Sequence, residues 1–258
     1  MNRAATVWYA IGAVVLVAAW EGLVRLLDVR PFVLLPPSRI VRGFADDPGF
    51  FVEHAWVTAR HLVAGIAIAL AVAVTLGAAL AAWRPLEAAS QPLLVLIMVT
   101  PWVAYISSVV LWLGSGTPSI VFLVAFVTVP AFVYATVAGM RGADPAAREL
   151  FASVDVAPLE VLWRLRLPAA LPSLFTALRF NVGLGLAAAY YAEGAAFTTA
   201  GLGAVGKRAA AQQQGGTVLW TTILTTAALG ILVQLAVLAA ERWLLRWHVS
   251  QRRSLTPT

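Results

Sequence analysis

The segment from Ala147 to Pro172, ARELFASVDVAPLEVLWRLRLPAALP, sets Arg148, Glu149, Asp155, Glu160, Arg164 and Arg166 between two long apolar runs. Hydrophobic residues make up 61% of the 258-residue chain and charged residues only 12%. Soluble domains average roughly 25% charge, so lipid, not water, is the main solvent for most of this chain. A charged interruption in such a chain is expected to lie outside the bilayer, and it orders the apolar runs on either side.

A helix crosses the hydrocarbon core with about 20 mostly apolar residues. Six runs meet that length: Val7 to Leu27, Leu62 to Trp83, Pro92 to Leu113, Pro118 to Ala138, Leu174 to Ala192 and Val218 to Leu238. The expected fold class is therefore an all-α membrane protein of about six transmembrane helices, a single domain over residues 1–258. The first run exceeds the roughly 7–15 apolar residues of a secretory signal and has no clear cleavage site, so it is expected to remain as a helix. With no cysteine in the chain, thiolate catalysis, disulfides and cysteine metal sites are excluded.

Six spans put both termini on one face. Arg3, Arg84, Arg141, Arg148, Arg164, Arg166, Arg242, Arg246, Arg252 and Arg253 share that face, against Arg30, Arg39, Arg42, Arg60, Lys207 and Arg208 opposite. The excess of cationic side chains marks the first face as cytoplasmic. The net charge of +6 thus reports orientation. Binding to nucleic acid is not expected, because no basic patch is interleaved with free aromatic residues.

Within the charged loop, Asp144 followed by Pro145 reads as a helix start, and Pro158 with Glu160 as a second one. Pro168 and Pro172 are expected to stop that second helix before the next span. The loop, about residues 141–172, then holds two short helices folded on each other. Leu159, Leu162, Trp163 and Leu165 form a partial apolar stripe opposite Glu160, Arg164 and Arg166, a pattern that suits either a helix lying on lipid headgroups or a docking knob for a soluble partner. Elsewhere, Pro36 and Pro37 are expected to stop any helix in the connector LLPPSRIVRGF (Leu34 to Phe44).

Glu149, Asp155 and the LRLP of Leu165 to Pro168 resemble the coupling-loop signature of binding-protein-dependent ABC importer permeases, a Glu-Ala-Ala, Gly, hydrophobic-x-Leu-Pro pattern. LLPPSRIV (Leu34 to Val41), LWLGSG (Leu111 to Gly116), GADP (Gly142 to Pro145), LPAALPSLFTALRF (Leu167 to Phe180) and ERWLLRW (Glu241 to Trp247) are similar to the sulfonate, taurine and nitrate subgroup. The resemblance implies a permease subunit moving a small solute inward, a sulfonate-, taurine- or nitrate-like anion, in the bacterial cytoplasmic membrane. It implies no catalysis and no cofactor in this chain, ATP and Mg being bound by partner ATPase subunits. Further implied partners are an extracytoplasmic solute-binding protein and a second permease chain, the same or different.

The same resemblance gives Glu149, Asp155, Leu159, Leu162, Leu165, Leu167 and Pro168 the role of contacting the ATPase. The sequence departs from the pattern at Leu150 and Phe151, in place of two alanines, and at Asp155, in place of glycine; aspartate tolerates the left-handed region better than most residues. Ser107 and Tyr105 replace the subgroup's proline and tryptophan.

Ionisable and polar groups within spans need a physical reason. Glu21 and Arg25, at i and i+4, read as a self-satisfied pair. Asn181, Tyr190 and Glu193 on the fifth run are candidates for a translocation pathway, with Glu193 at an outer gate or else a boundary residue meeting water. Trp102, Tyr105, Ser108 and Trp112 fall on one helical face, lining solute or belonging to an aromatic belt. GLGAVGK (Gly201 to Lys207) satisfies a P-loop spacing but lacks the following Ser or Thr and a preceding strand, so a flexible outer turn is expected there. The histidines His54, His61 and His248 suggest no triad or zinc cluster, and Ser115 in GSG has no evident base. The alternatives are an ion-gradient-driven secondary transporter and a permease for a vitamin-precursor-like heterocycle.

Overall fold

The first apolar run folds as α1, Arg3–Leu26. The structure, a computed structural model, describes residues 3–196, 198–212 and 214–246, with only the backbone at 3–6, 9 and 10. His248, Arg252, Arg253 and Trp247 of the C-terminal motif lie outside the described residues. All regular elements among those described are helical.

Prolines open several helices. Pro37 starts α2, Pro37–Asp46, and Pro48 starts the long α3, Pro48–Ala82. Pro36 and Pro37 therefore begin a helix where a stop was expected: in the first turn the missing N–H has no intrahelical partner to lose, and the fixed φ is already helical. Glu21 on α1 pairs with Arg25 as expected, and it also accepts from the Ser38 backbone N–H at 3.0 Å and the Ser38 hydroxyl at 2.7 Å, which ties α1 to the start of α2.

The third apolar run is not one helix. α4, Arg84–Val99, ends where Thr100 is extended (φ −75, ψ 130), as a residue before proline prefers. After Pro101 the chain makes a 3₁₀ turn, Trp102–Tyr105, and resumes as α5, Ile106–Leu113, bent by 90° from α4. Trp102 and Tyr105 are thus on the turn and Ser108 and Trp112 on α5, so these four residues do not share one continuous α-helical face.

α6, Thr117–Arg141, leads to α7, Pro145–Ser153, whose first turn is capped by Asp144 accepting from the Ala146 N–H at 3.0 Å. Asp155 follows with φ +50, the left-handed turn anticipated for it. α8, Pro158–Val161, then runs through a π-turn, Leu162–Arg166, into α9, Leu167–Ala195. The expected stop at Pro168 and Pro172 is corrected here: Pro158–Ala195 is a continuous rod of 38 residues. Leu167 N–H bonds to the Leu162 carbonyl, five residues back, so the wide turn absorbs one residue and leaves Pro168 in the first turn of α9, where a missing N–H is tolerated. Neither α7 nor α8 contains a buried residue, so they do not pack together as a folded pair.

α10, Leu202–Ala210, and α11, Gly216–Leu244, complete the chain. Four described helices or continuous rods are long and apolar enough to cross a membrane, Pro48–Ala82, Thr117–Arg141, Pro158–Ala195 and Gly216–Leu244; the bent α4–α5 pair would make a fifth. Four or five of the six expected spans are thus matched among the described residues.

The core sits where α3, α6 and α9 pack against one another, around Leu62, Ile66, Ile120, Leu123, Val124, Phe132 and Ala188. The helices approach closely at small residues. A Cβ on Gly65 of α3 would lie 2.5 Å from Val124 of α6, and one on Gly139 of α6 would lie 2.6 Å from Ala170 of α9. Val63, Ile231 and Leu232 face outward, as apolar side chains do when lipid is the solvent.

Candidate functional site

Two regions carry chemistry the core does not. The first is the α7–α8 loop. Leu150, Val154, Leu159 and Trp163 are each 63–65% exposed, while Leu162 and Leu167 lean against the core and Leu165 and Pro168 are half-buried. The helical rod therefore divides the expected apolar stripe. Its inner half anchors the rod to the bundle, and its outer half is exposed, as are Leu150 and Val154 before the turn. Glu149 and Asp155 are exposed as well. Leu150 stands where the resembling pattern has alanine, and its outward direction was not legible from that departure alone. Glu160 and Arg164 pair on the flank at 2.9 Å, and Arg141 at the end of α6 pairs with Glu87 of α4.

The second region lies at the other end of α9. Glu193 is fully buried, at 0% exposure. Its Oε2 accepts from the Thr58 hydroxyl at 2.9 Å and the Gly203 N–H at 2.9 Å, and its Oε1 meets His61 Nδ1 at 2.8 Å. His61 Nε2 is 3.1 Å from the Thr117 hydroxyl. Beside this cluster, His54 Nδ1 accepts from the Gly201 N–H at 3.0 Å and Thr58 Oγ1 from the Leu202 N–H at 2.9 Å. Buried carboxylates persist when several donors satisfy them. The reading of Glu193 as a boundary residue meeting water is therefore corrected.

The GLGAVGK segment is also corrected, from a flexible turn to the buried start of α10. Gly201 has φ +106, a conformation that disfavours side chains, and a Cβ there would collide with the Glu193 carboxylate. Gly203 and Gly206 lie directly on Tyr190, where a Cβ would overlap its carbonyl oxygen and its hydroxyl respectively. The glycine spacing reports close helix packing and no phosphate cradle.

Between α5, α9, α10 and α11 lies a cavity of about 630 Å³. Ser107, Tyr190, Tyr191, Gly203, Gly206 and Lys207 contribute to its lining. Of the pathway candidates, Tyr190 lines it, and Trp102 reaches its edge by packing on Tyr191 at 5.7 Å between ring centroids. Tyr105 instead packs on Phe126 at 5.3 Å. Ser108 is half-buried outside the lining, and the buried Asn181 donates to the Ala177 carbonyl at 3.0 Å.

Sequence reasoning missed Ser107 as a lining residue and Thr58, His54 and His61 as partners of Glu193. A signal existed for the latter: positions 54, 58 and 61 are spaced i, i+4, i+7, one face of a helix. Among the described residues, no group of three or more His, Cys, Asp or Glu side chains could hold a metal ion.

Helices long and apolar enough to cross a membrane thus flank an open-sided cavity, and comparison with known proteins identifies the family. Residues 56–246 match the family described as binding-protein-dependent transport system inner membrane component, and the chain belongs to that family. It is an ABC transporter permease.

The riboflavin transport system permease protein RibX of Chloroflexus aurantiacus is 32% identical over 251 residues, covering 94% of this chain and 92% of the relative. The taurine transport system permease protein TauC of Escherichia coli is 28% identical over 244 residues, covering 91% and 87%. The formylaminopyrimidine transport permease protein ThiX of Halalkalibacterium halodurans is 28% identical over 237 residues, covering 92% and 94%.

Proposed function

We propose that this chain is the membrane subunit of an importer in the bacterial inner membrane, moving a small sulfonate- or taurine-like anion inward. Partner ATPase subunits dock on the α7–α8 loop, and a solute-binding protein delivers solute at the opposite face, where α10 lies. A second permease chain completes the pathway. α1 supplies a sixth span, and both termini are cytoplasmic, as the distribution of arginines favours.

The observation that carries this reading is the outward exposure of the apolar Leu150, Val154, Leu159 and Trp163, the last two on the rod that continues into α9. A push on α8 passes through the π-turn into α9, which runs past the core to Glu193 and the cavity. Uptake by the reconstituted complex tests it. Glu149→Ala and Leu159→Asp are expected to abolish uptake while the subunit still inserts, and normal uptake in both removes the coupling role. A tag on this chain should also bring down an ATP-binding protein. Its consistent absence, with uptake responding to a proton or sodium gradient, would favour a secondary transporter.

A second solute class is favoured by one observation: Tyr190 and Tyr191 form an aromatic wall on the cavity, which suits stacking on a flat heterocycle. The relatives' names include both taurine and ring-bearing solutes. The ligand that co-purifies with the cognate binding protein decides between the two.

A further inference from the structure

We propose that Glu193, Thr58 and His54 form a latch that holds α10 in place as one wall of the cavity, which makes them positioning residues for transport. The inference rests on reading that cavity as part of the solute path.

α10 starts without a capping side chain of its own, because Gly201 occupies the N-cap. Its first N–H groups need partners, and those of Gly201, Leu202 and Gly203 find them in His54, Thr58 and Glu193, on α3 and α9. The start of α10 is therefore secured by tertiary bonds, which can break without any helix unfolding. α10 also supplies Gly203, Gly206, Lys207 and Ala210 to the cavity wall, so whatever secures its start secures that wall.

The three core helices meet at this latch. Thr58 and His61 come from α3, Thr117 from the first turn of α6 and Glu193 from α9. A carboxylate with donors on both oxygens tolerates little displacement, since hydrogen bonds weaken steeply with distance and angle. A shift of α9 against α3, the motion a push on α8 would produce, therefore acts on the bonds that hold α10. Gly203 and Gly206 rest on Tyr190 with no side chain of their own between, while Leu202 and Val205 are buried, so release of α10 must also expose these two side chains.

The chain has no cysteine, so a single thiol reports on the wall. Ala204 on α10 is buried, so with Ala204→Cys the reaction rate with a water-soluble maleimide measures how often α10 is released. Glu193→Gln and Thr58→Val are each expected to raise this rate about tenfold, the scale set by losing one buried hydrogen bond. Thr58→Ser, which keeps the hydroxyl, is expected to restore the slow rate. A thiol from Ala73→Cys, buried in the core on α3, serves as the control and should react at an unchanged rate. Unchanged labelling at position 204 in both latch variants overturns the latch, and so does an equal rise at positions 204 and 73, which would mean general loosening.

Failure of the path reading has a different signature. Labelling at position 204 would still rise, yet maleimide modification of a separate Ser107→Cys thiol in the cavity lining would leave binding-protein-stimulated ATP hydrolysis by the assembled transporter unaffected; that result keeps the latch and removes the cavity from the path.

Discussion

The two ends of the Pro158–Ala195 rod contrast in what they do with their side chains. At the α7–α8 end no residue is buried and Leu150, Val154, Leu159 and Trp163 point away from the protein. At the α10 end almost the opposite holds: Glu193 and Thr58 are sealed inside, and their polar atoms are bonded to neighbours. Exposed apolar groups gain free energy only when something else covers them, whereas buried polar groups are costly unless already paired. One end is thus incomplete without a partner, and the other is complete within the chain. A single helical rod joins them.

Substitutions can break this contrast, and the largest effect is expected at the closed end. Gly203→Leu drives a side chain into the Tyr190 backbone, and overpacking of this kind should cost about 3 kcal/mol or more. Thermal melting of the purified subunit, or loss of a monodisperse species, measures it. Trp163→Asp at the open end should behave in the reverse manner. Melting should stay within about 0.5 kcal/mol, while recovery of the ATPase in pull-downs falls by at least tenfold, as for an interface anchor of about 2 kcal/mol. A large drop in melting would mean that Trp163 serves this chain's own fold.

Smaller effects sharpen the picture. Asp155→Val places a β-branched residue at φ +50 and should destabilise the loop by about 1–2 kcal/mol, read as faster amide exchange confined to α7 and α8. Asp155→Gly should leave that exchange unchanged. Thr117→Val removes the partner of His61 Nε2 and should lower stability by about 1 kcal/mol; no change in melting would mean that His61 needs only Glu193.

The legible part of the fold followed from local rules. The apolar runs placed most of the helices, Asp144-Pro145 marked the start of α7, and Asp155 adopts the left-handed turn its side chain tolerates. Where the reading failed, a local signal was present but the outcome depended on neighbours. Pro101 bends the third run by 90°, whereas Pro168 does not interrupt the rod, because a π-turn before it absorbs the mismatch. Composition treats the two prolines alike. In the α10 region, the glycines suggested flexibility because a chain considered alone does not reveal which backbone will lie against Tyr190.

By itself, then, the sequence determined a lipid-solvated helical bundle, the charged loop that interrupts it, and the resemblance that led to its family, because hydropathy and short motifs act over one or a few turns. Only the tertiary structure decided that Glu193 is sealed against Thr58 and His61, more than a hundred positions away in the chain. It also decided that Leu150, Val154, Leu159 and Trp163 are left exposed. Burial is a property of what surrounds a side chain, and those surroundings are assembled only when distant helices pack.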